Sequence, residues 1–115
     1  MNYTDVQQAI KHLEPFEHTS CSAQAHDLNS APHIYTGQLS TEDRATLVSD
    51  ALAGDLDRDR DRNFYVVFSY GTPIAWAWTT RSGTMMRRIP DVRYSTTTSK
   101  QQTYVRASLP GKDAS

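Results

Sequence analysis

The sequence predicts an α+β fold: an antiparallel meander of three to five strands, with two or three helices packed on one face. Most large apolar residues lie between Phe64 and Leu109, where two runs alternate with the two-residue period of strands. Three other segments carry helix-start signals followed by apolar residues at helical spacing. The 115 residues have the size of one domain, which we expect to span residues 1–109, followed by a disordered tail at 110–115.

The first helix is predicted from Thr4 to Leu13. Thr4 and Gln7 have the spacing of a capping box, and Pro15 prevents the helix from continuing. One face is apolar at helical spacing and consists of Val6, Ile10 and Leu13.

Residues 16–39 have weak periodicity and leave two interpretations open. Phe16 to Ser22 and His33 to Gly37 would be short strands joined by a turn at residues 29–32. The alternative is a long loop.

The second helix is predicted from Thr41 to Ala53. Ser40 is its N-cap, Asp43 completes a capping box, and Gly54 suits the left-handed end of a helix. The predicted buried stripe consists of Leu47, Val48, Ala51 and Leu52.

The sheet is predicted from three runs that follow one another closely. Phe64 to Tyr70 is apolar on both faces, which indicates a central strand, and Gly71-Thr72 forms a tight turn. In the next strand, beginning at Pro73, the small residues Ala75 and Ala77 share one face and leave room for a helix. Thr84 to Ile89 would be the third strand.

The last helix is predicted to follow residues 94–98. Thr98 and Gln101 have capping-box spacing, which places the helix start at Thr98. Pro110 and Gly111 end the helix.

The charge is divided unevenly along the chain. Residues 1–62 carry five basic and eleven acidic side chains, a net −6, and residues 63–115 carry seven and two, a net +5. The two halves either neutralise each other in the fold or leave a basic surface for an anionic partner. No apolar run approaches the length of a membrane span, and Cys21 is the only cysteine. We therefore expect a cytoplasmic protein with no membrane partner.

Two blocks of the sequence resemble a family. The first is Tyr65-Val66-Val67-Phe68-Ser69-Tyr70-Gly71-Thr72-Pro73-Ile74-Ala75, and the second is Pro90-Asp91-Val92-Arg93-Tyr94-Ser95-Thr96-Thr97-Thr98-Ser99-Lys100-Gln101-Gln102. Together they resemble small uncharacterised proteins of actinobacteria and their phages. The resemblance implies a phage or mobile-element protein but no activity. Gln101 stands where that family usually has histidine, which argues against an obligatory catalytic base at this position.

Basic and hydroxyl side chains in the second half are the best binding candidates. Arginines beside aromatic residues suit phosphates and stacked bases, and hydroxyls at a helix start can hold a phosphate. Equally, the arginines could pair with the acidic half and the hydroxyls could cap the helix. The candidates are Arg81, Arg87, Arg88, Arg93, Thr97, Thr98, Lys100 and Arg106.

Three arrangements would support other chemistry. A zinc site would use the four residues His18, Cys21, His26 and His33, although their spacing matches no standard finger. Cys21 with a nearby histidine and Asp27 could imitate a thiol nucleophile with its base. Residues 55–62 begin like a calcium loop, but Arg60 stands where the turn glycine belongs. We expect no cofactor, no metal and no catalytic residue.

These observations favour a non-enzymatic phage or mobile-element accessory protein that binds a host protein or complex. Its target would be a defence or replication system, which the protein would inhibit. The first alternative is a nucleic-acid-binding regulator that uses the basic second half, and the second is a small hydrolase or metal enzyme. A homodimer through an exposed sheet edge is compatible with this fold.

Overall fold

A computed structural model describes residues 3–18, 21–26, 37–53, 64–80, 83–90 and 96–114. These residues form three helices and six strands. In chain order the elements are α1 (Tyr3–Lys11), β1 (Phe16–His18), β2 (Cys21–His26), α2 (Thr41–Ala53), β3 (Phe64–Ser69), β4 (Thr72–Thr79), β5 (Met85–Arg88), α3 (Thr96–Ser108) and β6 (Lys112–Asp113).

The six strands lie in one sheet in sequence order, from β1 to β6. Each of the first four pairs with the next in antiparallel fashion, so the predicted meander is confirmed for β1 to β5. The α+β class is also confirmed. The expected number of three to five strands is wrong, and so is the purely antiparallel sheet, because β6 pairs with β5 in parallel.

The additional strand comes from the segment that we expected to be a disordered tail. The guanidinium of Arg87 binds the carboxylate of Asp113 at 2.7 Å, and the backbone N–H of Ala114 donates to the carbonyl of Arg87. These contacts attach residues 112–114 to β5. No periodicity in the sequence signals this strand, because β6 has two exposed residues and no apolar pattern.

The helices cover both faces of the sheet, which corrects the prediction that they pack on one face. Residues paired across a ladder point to the same face, so Trp76 and Arg88 share one face, and Ala77 and Arg87 share the other. On the first face α2 packs against β4. On the second lie α3, whose carbonyls bind Arg87, and α1, which packs beside α3. This second face is the alanine-lined face predicted to accept a helix.

The core lies between these layers. All six residues of β3 are buried, and Trp76 of β4 is fully buried. A β-bulge separates the pairs Val67–Ala75 and Phe68–Pro73. Proline has no N–H for the ladder, so a bulge accommodates it inside a central strand. The carbonyl of Ile74 at the bulge accepts a hydrogen bond from the amide of Gln102 at 3.2 Å.

Several predicted boundaries shift. α1 ends at Lys11, and Leu13 takes a left-handed conformation with φ of 56°, as in a helix C-terminal turn. Residues 16–26 contain two strands, and Gly37 lies outside any strand. The expected strand at 33–36 and the turn at 29–32 fall outside the described residues.

The two later helices differ in how well their starts were predicted. The N-cap of α2 is confirmed, because Ser40 Oγ accepts the N–H of Asp43 at 3.1 Å. Val48 was expected to be buried but is 38% exposed. α3 begins at Thr96, so Thr98 is not its cap. It is instead a buried residue that faces the sheet.

Candidate functional site

The eight predicted binding residues do not form one surface. Arg81 and Arg93 lie outside the described residues. Arg87 and Arg88 are consecutive in β5 and therefore point to opposite faces of the sheet. Their separation follows from the two-residue period, which the sequence already showed.

Arg87 stabilises the end of α3. Its Nη1 donates to the carbonyls of Arg106 at 2.9 Å and Leu109 at 2.8 Å, and its Nε binds Asp113. A cation at this position satisfies free carbonyls and interacts favourably with the helix dipole. The side chain is thereby committed to the fold.

Arg88 belongs to a buried polar cluster on the α2 face. Asp50 of α2 is only 6% exposed and accepts the indole N–H of Trp76 at 2.8 Å. Its two oxygens also accept the Nε and Nη2 of Arg88, whose guanidinium carbon lies 5.9 Å from the ring centre of Trp78. The predicted pairing of an arginine with the acidic half is confirmed for Asp50 and Arg88.

The remaining candidates lie on α3. The hydroxyl of Thr98 is buried and shares a hydrogen bond of 3.0 Å with Ser69 of β3. Thr97 is half-buried, whereas Lys100 and Arg106 are exposed. Of the basic candidates in the described part of the chain, Lys100 and Arg106 therefore have the most accessible side chains.

The structure draws attention to Tyr70, which was not among the candidates. Its side chain is 69% exposed, although large aromatic residues are usually buried. Its φ is 49°, in the left-handed region that disfavours residues with a large side chain, and φ of Gly71 is 78°. Two consecutive positive φ values between the paired residues Ser69 and Thr72 define a two-residue hairpin turn, for which Asn-Gly is preferred.

The turn that carries Tyr70, residues 69–72, is held firmly. The hydroxyl of Thr72 accepts the N–H of Gln38 at 3.0 Å, two residues before the N-cap of α2. Ser69 is tied to α3 through Thr98. The starts of α2 and α3 therefore flank this turn, and Tyr70 projects from a rigid support. The signal available in the sequence was tyrosine at the turn position where asparagine is preferred.

The proposed zinc ligands are only partly described. Cys21 and His26 lie five residues apart on extended β2, so their backbones are about 16 Å apart and cannot supply ligands to one zinc ion. His33, Asp27 and the calcium-like residues 55–62 lie outside the described residues. Within the described part of the chain, no group of three or more His, Cys, Asp or Glu side chains could hold a metal ion.

Cys21 does not have the environment of a nucleophile. Its side chain is 3% exposed, and burial raises the pKa of its thiol from 9.0 to about 11. A reactive cysteine needs a lowered pKa and solvent access. Burial also raises the pKa of the nearby Tyr65 phenol. The thiol arrangement considered from the sequence therefore lacks an activated thiolate.

The burial of Cys21 predicts slow thiol chemistry. We expect the native protein at pH 8 to react with Ellman's reagent at least about 100-fold more slowly than protein unfolded in urea, because attack needs an exposed thiolate. The unfolded thiol loses its proton near pH 9, whereas the folded thiol keeps it until about pH 11. The folded state therefore holds a proton that the unfolded state has lost between about pH 9 and pH 11. As a result, the free energy of unfolding keeps its full value below pH 9 and falls as the pH rises toward 11. Equal rates in the native and unfolded protein would contradict this assignment.

None of the helices that the structure describes is long and apolar enough to cross a membrane.

No protein-family model matches the sequence, and no curated protein matches it significantly. The similarity to actinobacterial and phage proteins therefore stays a prediction from the two sequence blocks.

Proposed function

We propose that the chain is a non-enzymatic accessory protein of phage or mobile-element type that binds a host protein or complex through Tyr70. The observation that carries this proposal is the exposed aromatic ring of Tyr70 on a backbone with positive φ. The positive φ costs stability, and such backbone strain is concentrated at functional positions. Asparagine would satisfy the turn at lower cost, so a tyrosine here is best explained by a contact with a partner.

The tyrosine of this turn and the hydrogen bonds that hold the turn are both suited to protein binding. Tyrosine provides a large, amphipathic contact area and loses little conformational entropy, and it is enriched among the residues that dominate binding energy. The hydrogen bonds of Thr72 with Gln38 and of Ser69 with Thr98 fix the turn before a partner arrives. A fixed turn lowers the entropy cost of association.

The nucleic-acid alternative has less support. Arg87 and Arg88, two of its predicted phosphate contacts, are engaged with Asp113, the end of α3 and Asp50. Affinity for DNA or RNA grows with the number of phosphates that a protein neutralises. Among its candidates in the described part of the chain, Lys100 and Arg106 are the exposed cations that remain.

The substitution Tyr70→Asn separates binding from folding. Asn-Gly is the preferred pair for this turn, so we expect the variant to unfold at higher urea concentration, with a gain of about 0.5–1 kcal/mol. We expect partner capture from an actinobacterial lysate to fall at least about 30-fold, corresponding to the loss of one dominant contact of about 2 kcal/mol. The two measurements move in opposite directions.

The matched control is Val48→Asn, which removes the other exposed large hydrophobic residue of the described chain. We expect this variant to capture the partner like the wild type. Each pull-down is repeated after nuclease treatment. If the Tyr70→Asn variant captures the partner with the same yield as the wild type, the role of the turn is contradicted. Loss of every partner on nuclease treatment would favour the nucleic-acid alternative.

A further inference from the structure

Strand β1 has an open edge. It is the outermost strand of the sheet, and no described strand pairs with its outer side. Alternate residues of a strand direct their N–H and C=O groups to opposite sides, so β1 directs some backbone groups away from β2, to a side where no described strand meets them. An extended segment of another protein can add to such an edge as a further strand.

A cavity of about 290 Å³ adjoins the edge. Pro15, Phe16 and Glu17 line it on one side, and Ser22, Ala23 and Gln24 of β2 line it on the other. Glu17 pairs with Ser22, and their side chains share a face of the sheet. The residue of an added strand that lies opposite Glu17 would place its side chain on this same face, beside the cavity. Main-chain pairing next to a side-chain pocket is the usual arrangement for strand addition.

The negative charge at the edge of β1 favours a partner segment that carries a basic residue. Glu17 and Glu14 are both exposed, and neither forms an ion pair with another described residue. A lysine or arginine opposite Glu17 would form a cross-strand pair of opposite charge. A second copy of the chain fits less well. Two-fold antiparallel pairing of β1 centred on Glu17 would place the two Glu17 carboxylates opposite each other.

We propose that the edge of β1 binds an extended segment of the partner protein by strand addition, with a lysine or arginine opposite Glu17. This inference rests on the proposed function and names the part of the partner that is recognised. β1 and β3 are two strands apart, about 10 Å, and His18 lies level with Ser69 beside the Tyr70 turn. One partner can therefore contact the edge and Tyr70 together.

The test uses purified protein and two labelled peptides. One alternates threonine and valine around a central lysine (seven residues in all), and the other has glutamate in place of lysine. We expect fluorescence anisotropy to show at least about tenfold tighter binding of the lysine peptide. The substitution Glu17→Lys should reverse this preference. Glu42→Lys, the same charge change at an exposed position of α2, should preserve it.

A third peptide has the lysine sequence with N-methyl groups on its three central residues. Because these groups block strand pairing, we expect this peptide not to bind. Equal binding of the lysine and glutamate peptides, or no binding of either, would overturn the inference. A dimer of the free protein in sedimentation, together with absence of peptide binding, would overturn it in favour of a second copy. No lysate is used, so failure here is distinguishable from failure of the Tyr70 experiment.

Discussion

Replacing Asp50 with alanine is expected to lower the free energy of unfolding by about 3 kcal/mol, measured by urea denaturation. The carboxylate of Asp50 accepts hydrogen bonds from the buried indole N–H of Trp76 and from the Nε and Nη2 of the partly buried Arg88. Its removal leaves three N–H donors, one on Trp76 and two on Arg88, without their acceptor. The same carboxylate joins α2 to the sheet.

The control for Asp50 is Glu42→Ala, which removes an exposed carboxylate from the same helix and should cost less than about 1 kcal/mol. Adding Arg88→Met to Asp50→Ala should cost little more than Asp50→Ala alone, because both changes remove the same ion pair. Strict additivity of the two single losses, or a loss for Asp50→Ala no greater than for Glu42→Ala, would contradict the role of the cluster.

Gly37→Ala is expected to destabilise the fold by about 3 kcal/mol or more. At φ of 53° a Cβ at residue 37 would meet the Cα of Thr72 at 2.8 Å and the carbonyl of Gly71 at 2.9 Å, with the Thr72 hydroxyl closer still. Two of these three atoms belong to the backbone of the turn and cannot rotate away. The hydrogen bond from Gln38 to Thr72 would be lost with the displacement. Thermal and urea unfolding measure the change.

Gly83→Ala provides the matched control. Its φ is 84°, but a Cβ there meets no atom of the described residues within 4 Å. Only the left-handed backbone is penalised, so the expected cost is about 1 kcal/mol. Equal losses at the two glycines would show that close packing of Gly37 against the turn contributes nothing.

The central strands and α2 were predictable because their local signals agree with their environment. β3 is apolar on both faces and lies in the middle of the sheet, and Ser40 caps α2 as its spacing indicates. Strands β1 and β2 were harder to predict. They contain small and polar residues, and the pairing that makes them strands depends on β3, which lies far away in sequence.

The layering was not predictable from periodicity. The pattern of β4 shows that Trp76 and Ala77 lie on opposite faces. Both faces are buried, so another element must pack on each of them. In the structure Asp50 follows Leu47 at helical spacing, is buried with it and binds Trp76, so α2 covers the tryptophan face. A carboxylate on an apolar stripe was the available signal for a buried polar partner.

The candidate site was missed for a related reason. Charge and residue type drew attention to Arg87 and Arg88, whose contacts with α3 and Asp50 come from elements distant in sequence. Exposure and positive φ identify Tyr70, and neither can be read from composition. The turn itself was expected to begin at Gly71, whereas in the structure it begins one residue earlier.

The most direct test of partner binding is photo-crosslinking from residue 70. Benzoylphenylalanine is placed at Tyr70, and in a second protein at Val48, and each is irradiated in nuclease-treated actinobacterial lysate. We predict one discrete protein adduct from position 70 that position 48 does not give. Absence of an adduct at position 70, or the same adducts from both positions, would contradict the proposal that Tyr70 contacts a host protein.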